Sequence, residues 1–242
     1  MADQIPDDYR ESHLAKGEDY DADLSRGNMD TYMTSCELQI LKSLVPRLFP
    51  NKIPRYLDFA CGTGRITQVV SAMADYSIGL DVSENMISQA RGKCPKAEFV
   101  IGDITQDDIE LEPVDAITAF RFFGNAQDEL RTKVLAGLSR IIKPGGYLIV
   151  NNHRNPNSLH ERLARLKGDT TDTDLSHTKL RELFADQGFE VERTIGIGLW
   201  VMMHRLRVDT MQRSFLRKLE PFSRLPFVAT LCPDAIVIAR AR

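Results

Sequence analysis

At 242 residues, with 43% hydrophobic and 27% charged residues, the chain has the size and balance of an α/β domain burying a substantial core. Its net charge of −3 argues against wholesale binding of nucleic acid or of an anionic membrane surface. The four cysteines (Cys36, Cys61, Cys94, Cys232) are scattered and form no CxxC pair. That pattern points to a reducing, cytoplasmic setting without structural zinc, and neither a signal peptide nor a membrane-length apolar run is read.

Residues 1–30 hold nine acids against three Lys/Arg, and residues 200–242 hold eight Lys/Arg against three acids. The acidic end reads as an irregular arm, a solvated surface or a lid, with Tyr20 and Tyr32 as candidate lining residues. The basic end reads as surface, or as a face that attracts an acidic acceptor. A helix is expected from Thr31 to Leu48, on the spacing of Met33, Leu38, Leu41, Leu44, Val45 and Leu48, with Pro50 and Pro54 stopping it.

From Tyr56 the pattern becomes regular. Strands are expected at 56–60, 77–82, 97–101, 114–120 and 146–152, and helices at 65–74, 84–92 and 127–141. Lys143-Pro144-Gly145-Gly146 reads as the turn before the last of these strands. Strands and helices alternating at short spacing specify a parallel sheet with right-handed crossovers. The full expectation is a Rossmann-like, doubly wound, seven-stranded, mostly parallel sheet flanked by helices, the last strand antiparallel.

After Asn152 the rhythm loosens. A helix is expected at 157–167, and another from Ser176 to Gln187, stopped by Gly188. Strand-like stretches at 189–204 and 234–240 flank a basic helix around 209–219. The organisation is thus an arm at 1–30 and one domain at 31–242, with a ligand core at about 56–152 and acceptor-pocket elements at about 153–233.

Chemistry concentrates at the carboxyl ends of the strands, where open α/β sheets bind ligands. The run Leu57-Asp58-Phe59-Ala60-Cys61-Gly62-Thr63-Gly64-Arg65 is a strand, a tight turn of small residues and a helix start. Such a turn exposes backbone N–H groups to a ligand. Asp81 ends the second strand, where a carboxylate accepts hydrogen bonds from both ribose hydroxyls. Asp103, with Ile104, ends the third; the bland alternative for each acid is a cap or an Asx turn. Together they describe a nucleoside site.

In these features residues 56–150 resemble a class I S-adenosylmethionine-dependent methyltransferase. Leu57 to Arg65 is similar to the family's first motif, Asp-x-Gly-x-Gly-x-Gly, with Ala60 where the first glycine stands. That departure is tolerable if Ala60 keeps a negative φ. The resemblance implies S-adenosyl-L-methionine as cofactor and S-adenosyl-L-homocysteine as product. It implies that Asp81 reads the ribose and that Asp103 faces the adenine amino group beside Ile104. Asp58, Ala60, Gly62, Gly64, Arg65, Val82, Met86, Phe120 and Arg121 complete the implied contact set, and Lys143 to Gly146 resembles the family's Pro-Gly-Gly turn. A nicotinamide or flavin enzyme is the rival, but Thr67 occupies the place of that fingerprint's third glycine.

Methyl transfer requires a positioned nucleophile and, for some acceptors, a base. Arg121-Phe122-Phe123-Gly124 stands where base and glutamine amino-methyltransferases carry Asn/Asp-Pro-Pro-Tyr/Phe, which argues against those acceptors. Arg121 and Asn151-Asn152-His153 stand where metal-dependent enzymes need acids, so no metal is expected. His153 is the candidate base for an alcohol or phenol, and Arg121 a candidate contact to acceptor or cofactor. Phe123, Asn125 and Trp200 are further candidate pocket residues, and His177 is read as structural. The expected activity is metal-independent methylation of a small molecule at oxygen, by a monomer or homodimer that neither enters membranes nor binds nucleic acid. Small-molecule N-methylation, RNA or protein methylation, and a cofactor-binding module without turnover are the alternatives.

Overall fold

The computed structural model describes residues 28–107, 109–168, 175–205 and 218–242. The arm through Gly27, with Tyr20, and most of the basic helix expected at 209–219 fall outside them. Chain order is α1 (Asn28–Leu48), β1 (Ile53–Phe59), α2 (Arg65–Val70), β2 (Ala74–Asp81), α3 (Glu84–Lys93), β3 (Glu98–Ile101) and β4 (Val114–Ala119). It continues with α4 (Asp128–Ile141), β5 (Ile142–Asn152), α5 (Leu159–Leu166), α6 (His177–Asp186), β6 (Phe189–Ile197), α7 (Met202–Arg205), α8 (Pro226–Ala229) and β7 (Asp234–Ala241).

The strands form one seven-stranded sheet in the order β3-β2-β1-β4-β5-β7-β6. Pairing is parallel from β3 to β5, and antiparallel where β7 inserts between β5 and β6. The expected mixed sheet is therefore present. β7 starts opposite the end of β5 (Asn152↔Ala235) and of β6 (Ile197↔Asp234), so the segments following β5 and β6 gather at the same sheet edge as the glycine turn.

Alternation along each strand feeds two cores. Leu57, Leu80, Ile117 and Leu148 pack with Leu130, Val134 and Leu138 of α4 and with Leu180 and Phe184 of α6. Their neighbours Tyr56, Ala116 and Ile149 pack with Ile40, Leu41, Leu44 and Val45 of α1. The buried stripe of α1 is Met33, Cys36, Glu37, Ile40, Leu41, Leu44 and Val45, a 3.6-residue repeat with one carboxylate in it.

Three boundaries differ from expectation. β1 begins at Ile53 and includes Pro54, which is tolerated because β4 pairs with β1 only from Tyr56 onward. Lys143 to Gly146 lies inside β5 as an irregularity in the β4 pairing, held by Lys143 Nζ on Asp115 at 2.8 Å. The apolar run 195–203 leaves the sheet at Gly198, whose φ of +77° turns it into a 3₁₀ turn (Leu199–Val201) and α7.

Candidate active site

The turn after β1 is wired to β2. Cys61 N donates to Leu80 O at 3.1 Å, and Gly62 N donates to Asp81 Oδ2 at 2.8 Å. Asp81 Oδ1 accepts from Ser83 N at 2.9 Å, and Ser83 caps α3 by accepting from Met86 N. Both carboxylate oxygens keep a further lone pair for a ligand's hydroxyls.

The two glycines work differently. A Cβ on Gly62 (φ +53°) meets nothing within 4 Å, whereas one on Gly64 (φ +82°) meets Ala90 Cβ at 3.1 Å and Cys94 Sγ at 3.2 Å. Gly62 thus keeps open the space above the turn, and Gly64 lets α2 pack on α3. The expectation of a negative φ at Ala60 is wrong: its φ is +52°. The methyl group is carried in the left-handed region, at a cost of about 1–2 kcal/mol.

A cleft opens beside this turn, lined by Phe59, Ala60, Leu80, Asp81, Val82, Gly102, Asp103, Ile104, Phe122, Leu130 and Val134. Its composition, apolar walls with Asp81 on one side, fits a nucleoside whose base needs a hydrophobic slot and whose ribose needs an acceptor. Of the expected contacts, Ala60, Asp81, Val82, Asp103 and Ile104 line the cleft. Asp103 Oδ1 also closes a turn, accepting from Thr105 N at 2.9 Å and Thr105 Oγ1 at 2.7 Å, while Oδ2 accepts from Gln106 Nε2.

Asp58, Met86 and Phe120 are not on the wall. Met86 and Phe120 are core residues. Asp58 is a buried hub beneath the turn, accepting from Thr67 Oγ1 at 2.6 Å and Thr118 Oγ1 at 2.7 Å. Since Thr118 spends its proton on Asp58, the Tyr56 hydroxyl 2.6 Å away is the donor to Thr118. Burial pushes the Asp58 carboxyl up to about 6, and the two threonine hydroxyls and Arg65 restrain that rise.

Phe123 is not a pocket wall either. It is fully buried, edge-on to Phe122 and Phe184, and Phe122 is the ring that reaches the cleft. Arg121, at φ +62°, breaks the strand's alternation just before this pair and so reverses the expected sides. Ala60, Arg121 and Arg154 are the non-glycine residues with positive φ among those described, and each follows the carboxyl end of a strand, β1, β4 and β5 respectively. Strain of this kind collects at functional sites.

His153 follows β5 and is 6% exposed. Asn125 fixes its tautomer. Asn125 Nδ2 donates to Arg121 O at 2.7 Å, so its Oδ1 is the acceptor facing His153 Nε2 at 3.0 Å. Arg154 Nη2 also donates to that Oδ1 and lies 3.4 Å from Nε2, a longer contact than the 3.0 Å one to Asn125, which decides the role of Nε2. The ring therefore carries its proton on Nε2, and Nδ1 is a buried lone pair with no hydrogen-bond partner. Burial, then Arg121 and Arg154, hold this histidine well below its ordinary range, so it is neutral. A Cβ on Gly124 would lie 2.8 Å from both Nδ1 and Cε1 and 3.1 Å from His153 O, so glycine is what lets the chain pack against this ring.

His177 is structural, as expected. It receives Asn152 Nδ2 on Nδ1 at 3.0 Å, donates from Nε2 to Cys232 O at 3.2 Å, and is pushed down to about 4 by burial. Tyr32 donates to Glu220, which accepts Gly198 N at 2.8 Å, so the tyrosine ties α1 to the segment after β6. Burial and Glu220 hold the Tyr32 hydroxyl far above its usual value. Trp200 is half-buried in the 3₁₀ turn. Sequence reasoning missed Glu37, which binds Arg65 Nη1 at 2.8 Å; its signal was an acid on the apolar stripe of α1.

Comparison with known proteins agrees with this geometry. Residues 57–146 match the methyltransferase domain family. The chain is 30% identical over 147 residues to an uncharacterised methyltransferase of Synechocystis, covering 57% of this chain and 68% of that protein. A probable S-adenosylmethionine-dependent methyltransferase of Mycolicibacterium smegmatis is 26% identical over 58% of this chain, and the match spans about half (54%) of that relative. Magnesium protoporphyrin IX methyltransferase of Synechocystis, solved with bound S-adenosylhomocysteine, shares the fold with a TM-score of 0.64 at 16% identity, over 96% of this chain and 98% of its own. The chain belongs to the class I S-adenosylmethionine-dependent methyltransferases.

Proposed function

We propose that the protein transfers the methyl group of S-adenosylmethionine to a hydroxyl oxygen of a small molecule, with His153 as general base and without a metal. The observation that carries this reading is the buried Nδ1 lone pair of His153, beside a glycine and on a ring whose tautomer Asn125 fixes. A neutral imidazole with a bare lone pair is what an alcohol needs when its proton must leave.

The cofactor, when bound, supplies a methyl group activated on a sulfonium. The chain's own residues do the rest. Asp81 and the Gly62 turn orient the nucleoside, and Phe59, Ile104, Phe122, Leu130 and Val134 exclude water from the cleft. Arg121 stands between the two halves, its N–H and C=O held by Asn151 and Asn125, and its guanidinium is the cation proposed to meet the acceptor. Magnesium protoporphyrin IX, named for the solved neighbour, is itself a small molecule, which favours that acceptor class here. Arg121 and Asn151 to His153 at the ends of β4 and β5 support the metal-independent reading.

Isotopically labelled cofactor incubated with the protein and a host extract, fractionated by size and polarity, tests the acceptor. A base-stable methyl ether in the small-molecule fraction is expected, with the label on oxygen. Label confined to macromolecules, or to nitrogen, overturns it. His153→Ala is expected to lower turnover while S-adenosylhomocysteine affinity stays within about twofold; unchanged turnover removes the base.

A further inference from the structure

One carboxylate in the molecule sits where its chemistry is most costly. Glu37 is 0% exposed, on the apolar stripe of α1, and an aliphatic side chain there would simply extend the core. Both its oxygens are engaged. Oε2 accepts from Arg65 Nη1 at 2.8 Å, at the end of the cofactor turn, and Oε1 accepts from Asn151 Nδ2 at 2.7 Å, at the end of β5.

From Asn151 the hydrogen bonds continue to the far side of the site. Asn151 Oδ1 accepts from Arg121 N at 2.5 Å, Arg121 O accepts from Asn125 Nδ2 at 2.7 Å, and Asn125 Oδ1 accepts from His153 Nε2 at 3.0 Å. The Arg121 peptide fixes the amides on either side of it, since its N–H only donates and its C=O only accepts, and Glu37 completes the set at Asn151. A carboxylate only accepts, so Asn151 must turn its amide nitrogen to Glu37 and its oxygen to Arg121. That oxygen holds the left-handed Arg121 peptide (φ +62°), whose carbonyl orients Asn125, whose oxygen places the histidine proton on Nε2.

We propose that Glu37 is a positioning residue for methyl transfer: through Arg65 and Asn151 it holds the cofactor turn and the Arg121–His153 wall of the acceptor site in one fixed arrangement. This rests on the reading of His153 given above. Glu37 touches neither reactant; it acts through the groups it orients, and it makes helix α1 part of the catalytic machinery. Its charge is the element that counts, because a neutral amide offers one acceptor and one donor. A glutamine at this position must therefore leave either Arg65 or Asn151 without its acceptor.

The test is a charge swap. In Glu37→Gln, Asn151 turns or loses its partner, and in Asn151→Asp two carboxylates face each other. In the double variant E37Q/N151D the introduced amide again offers its oxygen to Arg65 and donates from its nitrogen to the introduced carboxylate. That carboxylate in turn accepts from Arg121 N–H, as the native amide oxygen does. Histidine-ring ¹⁵N spectra of the protein, alone and saturated with S-adenosylhomocysteine, report the His153 tautomer without any acceptor. Turnover with the acceptor found above reports the chemistry.

Each single variant is expected to lose the pure Nε2–H signature and 10- to 100-fold in kcat, with KM for the cofactor within threefold. The double variant is expected to restore both to within threefold of the wild type. Single variants that keep the wild-type ring spectrum and kcat overturn the proposal. So does a folded double variant that regains its melting point but neither readout, which would make Glu37 structural only. A wild-type protein that binds no S-adenosylhomocysteine refutes the function above, while the ring spectra still decide the relay.

Discussion

The two halves of the sheet edge treat their polar groups in opposite ways. Over β1 and β2 the turn is saturated from within: Cys61 N on Leu80 O, Gly62 N and Ser83 N on Asp81, Thr67 and Thr118 on Asp58. Over β5, β7 and β6 the segments are short (α7 and α8 have four residues each), and buried polar atoms are left over. Asn152 Oδ1, His153 Nδ1, Glu161 Oε2, Thr194 Oγ1 and Trp200 Nε1 have no hydrogen-bond partner, and on the other half Arg55 Nε, near the start of β1 and away from the turn, has none either. Buried polar groups are nearly always satisfied, so each of these atoms calls for a partner that its own fold does not supply. One half saturates its own polar groups around the cofactor turn, and the half proposed above for the acceptor leaves several unpaired.

The largest expected effects separate the halves by function. Asp81→Ala strips the acceptor from two backbone N–H groups and from the ribose, so S-adenosylhomocysteine affinity is expected to fall about 100-fold, roughly 3 kcal/mol. Gly124→Ala places a methyl group 2.8 Å from His153 Nδ1, and turnover is expected to fall at least as far with cofactor affinity unchanged. Calorimetry with S-adenosylhomocysteine and a turnover assay on both variants decide the matter. If both variants lose cofactor binding together, the halves are not separate.

Acid titration sharpens the same contrast. His177 lies in the acceptor half, with its folded value lowered to about 4 from 6.5 by burial. Its contribution is complete above 6.5 and is lost as pH falls toward 4, about 3 kcal/mol in all. Asp58, in the cofactor half, has its value raised from 3.8 to about 6 by burial. The fold therefore binds that proton more tightly than the unfolded chain does. Its contribution is complete below 3.8 and is lost as pH rises through 6, by a comparable amount. The two slopes oppose one another between pH 4 and 6. In His177→Gln one limb of that opposition is removed, so denaturant-measured stability relative to wild type is expected to improve steadily as pH falls through that window. A parallel pair of curves would show that His177 does not carry the acid limb.

The same division explains what the sequence disclosed. Gly62, Asp81 and the alternation from Tyr56 to Asn152 were legible because a fixed ligand demands fixed residue types at fixed strand ends. The spacing of α1 was legible too, yet Glu37 passed unnoticed: a carboxylate on an apolar stripe reads as a lapse of pattern until Arg65 and Asn151 are seen on it. Which of Phe122 and Phe123 faces the cleft was not legible, because Arg121 adopts a left-handed conformation that no side-chain pattern announces. The break at Gly198 depends on Met33, whose Cε stands 2.5 Å from where a Cβ would sit, and on Glu220 receiving its N–H. Both contacts come from distant segments, beyond the reach of local periodicity.

The smallest effect concerns the irregular residue of the cofactor turn. Ala60 lines the cleft at φ +52°, where an L-residue's Cβ crowds its own carbonyl and glycine does not. Ala60→Gly removes that strain of about 1–2 kcal/mol but adds chain entropy to the unfolded state, which returns about 0.5–1 kcal/mol. A net gain of about 0.5–1 kcal/mol is therefore expected, seen as a higher denaturation midpoint at unchanged slope. The methyl group also takes volume from the cleft, so S-adenosylhomocysteine affinity is expected to hold or to rise slightly. A loss of affinity in this variant would show that Ala60 grips the ligand, and that the strain at the turn is retained for binding rather than merely tolerated.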